Sequence, residues 1–357
     1  MKLSDLGQLF IIGLRGTALS EEEAEFIERN NIGGIILFKH NYESVAQLAE
    51  LINSVQALRS EYPLFISVDH EGGRVWRFDD FTRPPPMYEI SKLDSPKFCY
   101  EVHKMIADEL NACGINLCFS PCCDIWTNPN NKAIGDRAFG DSEEVVSKFI
   151  SSAIRGFQAN NVISCAKHFP GHGDTTKDSH FDLPLIKHDL DSLKEREIKP
   201  FIKAAKSRVE MVMMGHLLVD SIDENYPTSL SSKAYELLRS ELKYQRIIIT
   251  DDMEMHAITK KYTNNEAAEL AFNAGADILL YKSFDVGKEV FDHMSANIEQ
   301  KESNIIKFKE KIKRVLECKK TNISEYSPVY IPGIQNKIGS VEAKKIVEEI
   351  EQKIQES

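Results

Sequence analysis

Residues 167–180, KHFPGHGDTTKDSH, hold three histidines, two lysines and two aspartates in fourteen positions. Asp178 stands two residues before His180. A carboxylate beside a histidine accepts its N–H, fixes the tautomer and raises its pKa, and a protonated imidazole is a usable general acid for a glycosidic oxygen. The segment RIIITDDMEM (246–255) supplies a second reactive group. Asp251 ends an apolar β-rich run, where a carboxylate can attack an anomeric carbon. Side-chain alternation assigns its neighbour Asp252 to the other face, as a supporting residue or helix cap. In VDHEGGRVWRF (68–78), Asp69 can accept from sugar hydroxyls. Arg77 and Arg137 offer forked donors suited to hydroxyl or carboxylate recognition, and Lys167 and His168 can donate to sugar oxygens. Each basic residue also has a plainer role, as half of an internal ion pair that holds loops or strand ends together.

Positioning these groups on one face requires a particular framework. Eight apolar runs recur along the chain, at 8–14, 33–38, 63–69, 115–121, 162–169, 209–216, 246–251 and 276–282. Segments of helical period lie between them, at about 20–30, 42–60, 96–112, 142–159, 188–207, 231–242 and 264–274, with a last one near 286–318. Runs apolar throughout are the mark of parallel strands buried on both faces. Eight strand–helix units predict an α/β fold, a (β/α)8 barrel of the TIM type, in which active groups sit at the C-terminal ends of strands. An open doubly wound sheet would carry a glycine-rich phosphate turn after its first strand, and GLRGTALS is not one. Residues 1–320 are expected to form the barrel, and 321–357 a loop followed by a charged helix, read as solvated or partly disordered.

Composition narrows the function. With 42% hydrophobic and 28% charged residues, the chain has the make-up of a globular domain. A formal net charge of −11 repels phosphate backbones, so no nucleic-acid partner is expected. The run QLFIIGL is too short for a membrane span, and no A-x-A-like cleavage site follows it. Seven cysteines (Cys99, Cys113, Cys118, Cys122, Cys123, Cys165, Cys318) are an odd number, several of them in strand-like runs. Reduced thiols in a cytoplasmic protein are therefore the expectation. Cys122-Cys123 is vicinal rather than C-x-x-C, which argues against zinc there. No H-x-H ends the first strand, as a metal-dependent barrel hydrolase would often require. No cofactor and no metal are expected, and the sequence leaves the oligomeric state open.

The motifs VDHEGGRVWRF, IGDRAFG (134–140), KHFPGHGDTTKDSH and ITDDMEM (249–255) together resemble those of the family 3 glycoside hydrolases, and among these the bacterial β-N-acetylglucosaminidases that recycle peptidoglycan. The resemblance spans roughly residues 5–320. It implies a two-step retaining mechanism with Asp251 as nucleophile, His180 as acid/base and Asp178 as its partner. Asp69, Arg77, Arg137, Lys167 and His168 align with sugar contacts. Relatives acting as β-glucosidases usually take their acid/base from a second domain. The Asp-Ser-His loop instead favours the N-acetylglucosaminidase branch, and with it a terminal β-linked N-acetylglucosamine on a small carbohydrate or muropeptide. Phosphorolysis and the family's β-glucosidase and β-xylosidase activities are the alternatives. Two features depart from the pattern: His70 stands where many relatives have Gln, and residues 323–357 match nothing in it.

Overall fold

The computed structural model describes residues 3–175, 183–297 and 302–356. Each apolar run contains one strand of a closed barrel: β1 (Phe10–Gly13), β2 (Gly34–Leu37), β3 (Phe65–Val68), β4 (Leu117–Cys118), β5 (Ile163–Phe169), β6 (Met211–Met214), β7 (Ile247–Asp252) and β8 (Ile278–Tyr281). All neighbouring pairs are parallel, and β1 pairs with both β2 and β8 to close the ring. Every strand residue is buried except Asp251 and Asp252 at the end of β7. This is the (β/α)8 architecture that the uninterrupted apolar runs require.

Helices α1 (Glu21–Arg29), α2 (Val45–Ala57), α3 (Met87–Lys92), α4 (Pro96–Ala112) and α5 (Glu143–Gln158) follow the first four strands. Capping sets their starts: Ser20 and Glu23 form a capping box at α1, and the Ser44 and Ser142 hydroxyls accept the orphan amides of α2 and α5. The helical stretch expected at 188–207 is two helices, α6 (Leu190–Glu195) and α7 (Lys199–Lys206). Pro200 lies in the first turn of α7, where its missing N–H does no harm; within one continuous helix it would remove a hydrogen bond. α8 (Ser232–Glu236) widens into a π turn at Leu237–Glu241, α9 (His256–Thr259) is one turn long, and α10 (Asn264–Ala274) opens on a Thr263–Glu266 capping box. The segment near 286–318 is also two helices, α11 (Phe284–Asn297) and α12 (Glu302–Asn322). Outside the ring, Leu185–Ile186 pairs with Leu218–Val219.

Beyond the barrel lie α13 (Ile331–Ile334) and α14 (Val341–Glu356). The charged terminal run is not a solvated helix: Ala343, Val347 and Ile350 on α14 are buried and belong to the same continuous core as the barrel strands. The apolar residues at helical spacing form one stripe, and that stripe is covered by α3 and α4. No helix among the described residues is long and apolar enough to cross a membrane.

At the opposite end from the strand C-termini, Lys319 of α12 is fully buried, donates to the carbonyl of Gly33 at 2.7 Å, and sits over the Phe65 ring. Burial pushes its ammonium down to about 7. A lysine whose folded pKa lies below its unfolded value near 10.4 destabilises the fold increasingly as pH falls from about 10 to 7. The Phe65 amide also bonds the Gly33 carbonyl, so that acceptor keeps a partner without the lysine. Lys319→Met is therefore expected to raise the melting temperature at pH 6–7, with the gain fading toward pH 10. A difference that stays constant across this range would show that the charge is not what the burial penalises.

Candidate active site

The ends of strands β2 to β8 converge on a cavity of about 390 Å3 at the C-terminal face of the barrel. Asp69, just after β3, Lys167 and His168 on β5, and Asp251 on β7 line it, with Arg77 and Arg137 from the loops. Every substrate-contact residue expected from the sequence thus reaches one cavity, as does Asp251. Asp178 and His180 lie outside the described residues.

The local chain explains how the loop after β3 presents its groups. Gly72 and Gly73 take positive φ (102° and 50°), and a Cβ at Gly72 would stand 2.9 Å from Cγ of Pro84. The turn they allow sends the chain back so that Arg77 faces Asp69, 3.4 Å from Nη2 to Oδ2. Lys167, 2% exposed, reaches across from β5 and bonds both Asp69 Oδ1 at 2.7 Å and Glu71 Oε1 at 2.6 Å. Glu71 completes the chain by accepting two bonds from Arg137, at 2.9 and 2.8 Å. The basic residues are therefore partners in an internal ion-pair chain, Arg77–Asp69–Lys167–Glu71–Arg137, and at the same time the walls of the cavity.

This arrangement sets their charges. Burial works against the ionised forms of Asp69 and Glu71, but Lys167 and Arg77 outweigh it at Asp69, and Arg137 and Lys167 at Glu71, so both stay below the usual carboxylate range. Burial likewise opposes the Lys167 cation, and the two carboxylates overcome it and hold its pKa above the usual lysine value. A connected network of this kind restrains the directions of its donors and acceptors around the cavity.

Asp124, fully buried, orders the β5 end. Its carboxylate accepts from the backbone amides of His168 (3.2 Å) and His172 (2.7 Å) and from the His168 ring at Nδ1 (2.7 Å). That bond directs the His168 ring and leaves Nε2 as the nitrogen available to the cavity. Cys122 donates to the same carboxylate at 3.1 Å. These three residues bring possible ligand atoms within 4.8 Å of one another, and each is already engaged in this hydrogen-bonded group. His172 also lines the cavity, and burial lowers it to about 4, so its imidazole is neutral at pH 7. A Cβ at Gly173 would meet the Ile125 carbonyl at 1.6 Å, so glycine lets this loop press directly onto the chain after β4.

One expectation is corrected. Asp251 and Asp252 do not face opposite ways; both line the cavity. The register explains why. Ile278 pairs with Ile249 but Leu280 with Asp252, so β7 carries one residue more than β8 in this stretch. Such a bulge re-aims the side chains beside it. The two carboxyls are nevertheless unlike. At Asp251 burial is overcome by the rings of His168 and His216 and by the Asp252 amide, and its pKa falls below the usual value. At Asp252 burial prevails and the carboxyl rises to about 6, although Lys282 lies 3.5 Å away. Two neighbouring acids with pKa values pushed apart suit different tasks at one pH.

Sequence reasoning assigned no role to Glu71, Asp124, His172 or Lys282. Glu71 and Asp124 carried a usable signal: an acid at a barrel strand end, amid basic residues that need buried partners.

Fold and cavity together define a barrel enzyme whose pocket is built from alternating acids and bases at strand ends. The chain belongs to glycosyl hydrolase family 3, whose N terminal domain matches residues 2–318. A β-hexosaminidase from Nitrosomonas eutropha is 35% identical over 283 residues, covering 77% of this chain and 80% of that one. β-Hexosaminidase A from Pseudoalteromonas piscicida is 36% identical over 286 residues, and the match spans 48% of its length, about half of that relative. Among solved structures, a family 3 β-N-acetylglucosaminidase from Paenibacillus sp. str. FPU-7 superposes with a TM-score of 0.90 at 33% identity, covering 99% of this chain and 68% of that one.

Proposed function

We propose that the protein is a retaining β-N-acetylglucosaminidase that removes terminal β-linked N-acetylglucosamine from peptidoglycan fragments. The observation that carries this reading is Asp251: a carboxylate held ionised at the end of β7, in the same cavity as Asp69, Arg77, Arg137, Lys167 and His168. The names of the relatives above support the sugar, and the motifs around Asp178 and His180 support the acid/base.

In this reading Asp69, Arg77, Arg137, Lys167 and His168 hold the hydroxyls of the terminal sugar. Asp251 attacks the anomeric carbon as the leaving oxygen departs with a proton from His180, and a glycosyl-aspartate forms. His180, now neutral and oriented by Asp178, takes a proton from water, whose oxygen attacks the anomeric carbon and frees Asp251. The anomeric configuration is inverted twice and so retained. We place the enzyme in a reducing compartment, the cytoplasm, on the strength of seven cysteines that are all buried and unpaired.

The test is hydrolysis of p-nitrophenyl β-N-acetylglucosaminide beside the corresponding β-glucoside, with EDTA present. The expected outcome is turnover of the N-acetyl substrate, at least about ten times faster than the glucoside in kcat/KM, a discrimination of roughly 1.4 kcal/mol or more. Equal turnover of both would reject the sugar assignment. Loss of activity to the chelator would reject the metal-free mechanism.

A further inference from the structure

Residues 323–356 fall beyond the matched family domain, yet they are joined to the loop that carries two of the proposed sugar contacts. We infer that this C-terminal extension is a strap that positions the substrate loop, residues 69–86, with Glu109 of α4 as the buried junction between them. The inference rests on the reading of Asp69 and Arg77 as substrate contacts.

Glu109 is 1% exposed, and its described partners are neutral groups. It accepts the Thr82 amide at 2.8 Å, the Thr82 hydroxyl at 2.7 Å and the Gly339 amide at 2.8 Å. One carboxylate thus joins the loop after β3 to the turn before α14. A buried acid is retained at such a point only if its acceptor capacity is used, and here it is used on two separate segments of the chain. Gly339 has φ of 61°, and a Cβ there would stand 3.0 Å from the Asp80 carbonyl, so backbone meets backbone at this crossing.

The strap is anchored on both sides of the junction. Upstream, Asn53 of α2 exchanges two hydrogen bonds with the Val329 backbone, at 3.1 and 2.8 Å. Downstream, α14 buries Val347 and Ile350 and carries Lys353 to the Phe98 ring on α4. Its last turns face the loop across a cleft, with Glu351 and Ile354 on one wall and Gly73, Arg74 and Pro85 on the other. Arg74 also lines the catalytic cavity, so the two spaces share a wall.

Inside the loop, contacts lead from the junction to Arg77. Phe81, next to Thr82, packs on the His70 ring, 5.4 Å between centroids, and His70 stacks on Trp76 at 3.4 Å. Nδ1 of His70 accepts the Arg77 amide at 3.3 Å. Releasing Thr82 therefore loosens the rings that set the position of Arg77. The nucleophile strand β7 lies outside this path. A loosened loop should weaken substrate binding and leave the chemical step nearly intact, since misplacing a contact group by an ångström is felt most where that group binds.

The experiment compares Glu109→Gln, Ile350→Asp and the double variant in the full chain. Each single change is expected to raise KM for the aryl N-acetylglucosaminide by roughly ten-fold with kcat within about two-fold. The double variant should show much less than the product of the two effects, because both act through one strap. A second readout needs no turnover. In a Trp126→Phe background, Trp76 is the one remaining indole of the two in the chain, and acrylamide should quench it more in the Glu109 and Ile350 variants than in the parent. Lower melting temperatures with unchanged KM and unchanged Trp76 quenching would overturn the strap and leave a purely structural extension. If the unmodified protein fails to turn over the sugar, the proposed function fails, and the quenching comparison still decides the strap.

Discussion

Asp251→Ala is expected to lower kcat for the aryl N-acetylglucosaminide by a factor on the order of 10⁴ or more, in line with losses seen when a covalent nucleophile is removed. The fold should survive. Among the described residues the side chain accepts the Asp252 amide, at 2.8 Å, and it sits at the open end of β7 rather than in the packed interior. In the proposed mechanism its charge is what acts. The rings of His168 and His216 counter the burial penalty and keep the carboxylate ionised well into mildly acidic solution. Asp252 cannot take over at neutral pH from its own position, because Oδ2 of its carboxylate faces Lys282 and Oδ1 accepts the Glu254 and Lys282 amides. Steady-state rates and thermal melts on the same preparation check the result. A variant that melts normally and retains more than about one hundredth of the parent rate would remove Asp251 from the mechanism.

The second large effect concerns stability. Glu71→Gln keeps the shape of the side chain but leaves Arg137 and Lys167, both largely buried, without one of their anions. Removing one partner of a buried ion pair destabilises by about 3–5 kcal/mol, which for a chain of this size lowers the melting temperature by roughly 5–10 °C. The pH dependence follows from the sign of the shift. The folded state holds the Glu71 carboxyl below its ordinary value, so its contribution is present above the unfolded pKa near 4.3 and disappears as pH falls toward the folded one. The gap between parent and variant should be full at pH 7 and reduced at pH 3. Melts at both values decide this, and an equal gap at each would mean that the loss is one of packing and not of charge.

Much of this site was legible in the sequence because two independent periodicities agreed. The apolar runs placed eight strands, and the reactive residues fell at their C-terminal ends, which is where a barrel uses them. Asp69, Lys167, His168 and Asp251 could be found that way. Glu71 and Asp124 also follow strand ends, but their roles were hidden because their partners are non-local: Arg137 lies 66 residues from Glu71, and His168 lies 44 from Asp124. The shared orientation of Asp251 and Asp252 was hidden for a different reason. Alternation is a rule for regular strands, and the extra residue in β7 is set by pairing with β8 and leaves no local sign. The break between α6 and α7 did have a local sign in Pro200, overlooked within a longer helical period. The docking of α14 depended on a surface made by α3 and α4, some 250 residues earlier in the chain.

The Asp69–Lys167 bond links residues 98 apart in sequence, and Asp251 lies further on again. The last seam of the ring, β1 against β8, joins the two ends of the domain. Neither half of the chain contains a fraction of this pocket that could work alone, and contacts of such separation form late because the intervening chain must first be ordered. Turnover is therefore a report on ring closure. During synthesis or refolding, activity should appear only with the final native barrel, while helical signal and compaction come earlier.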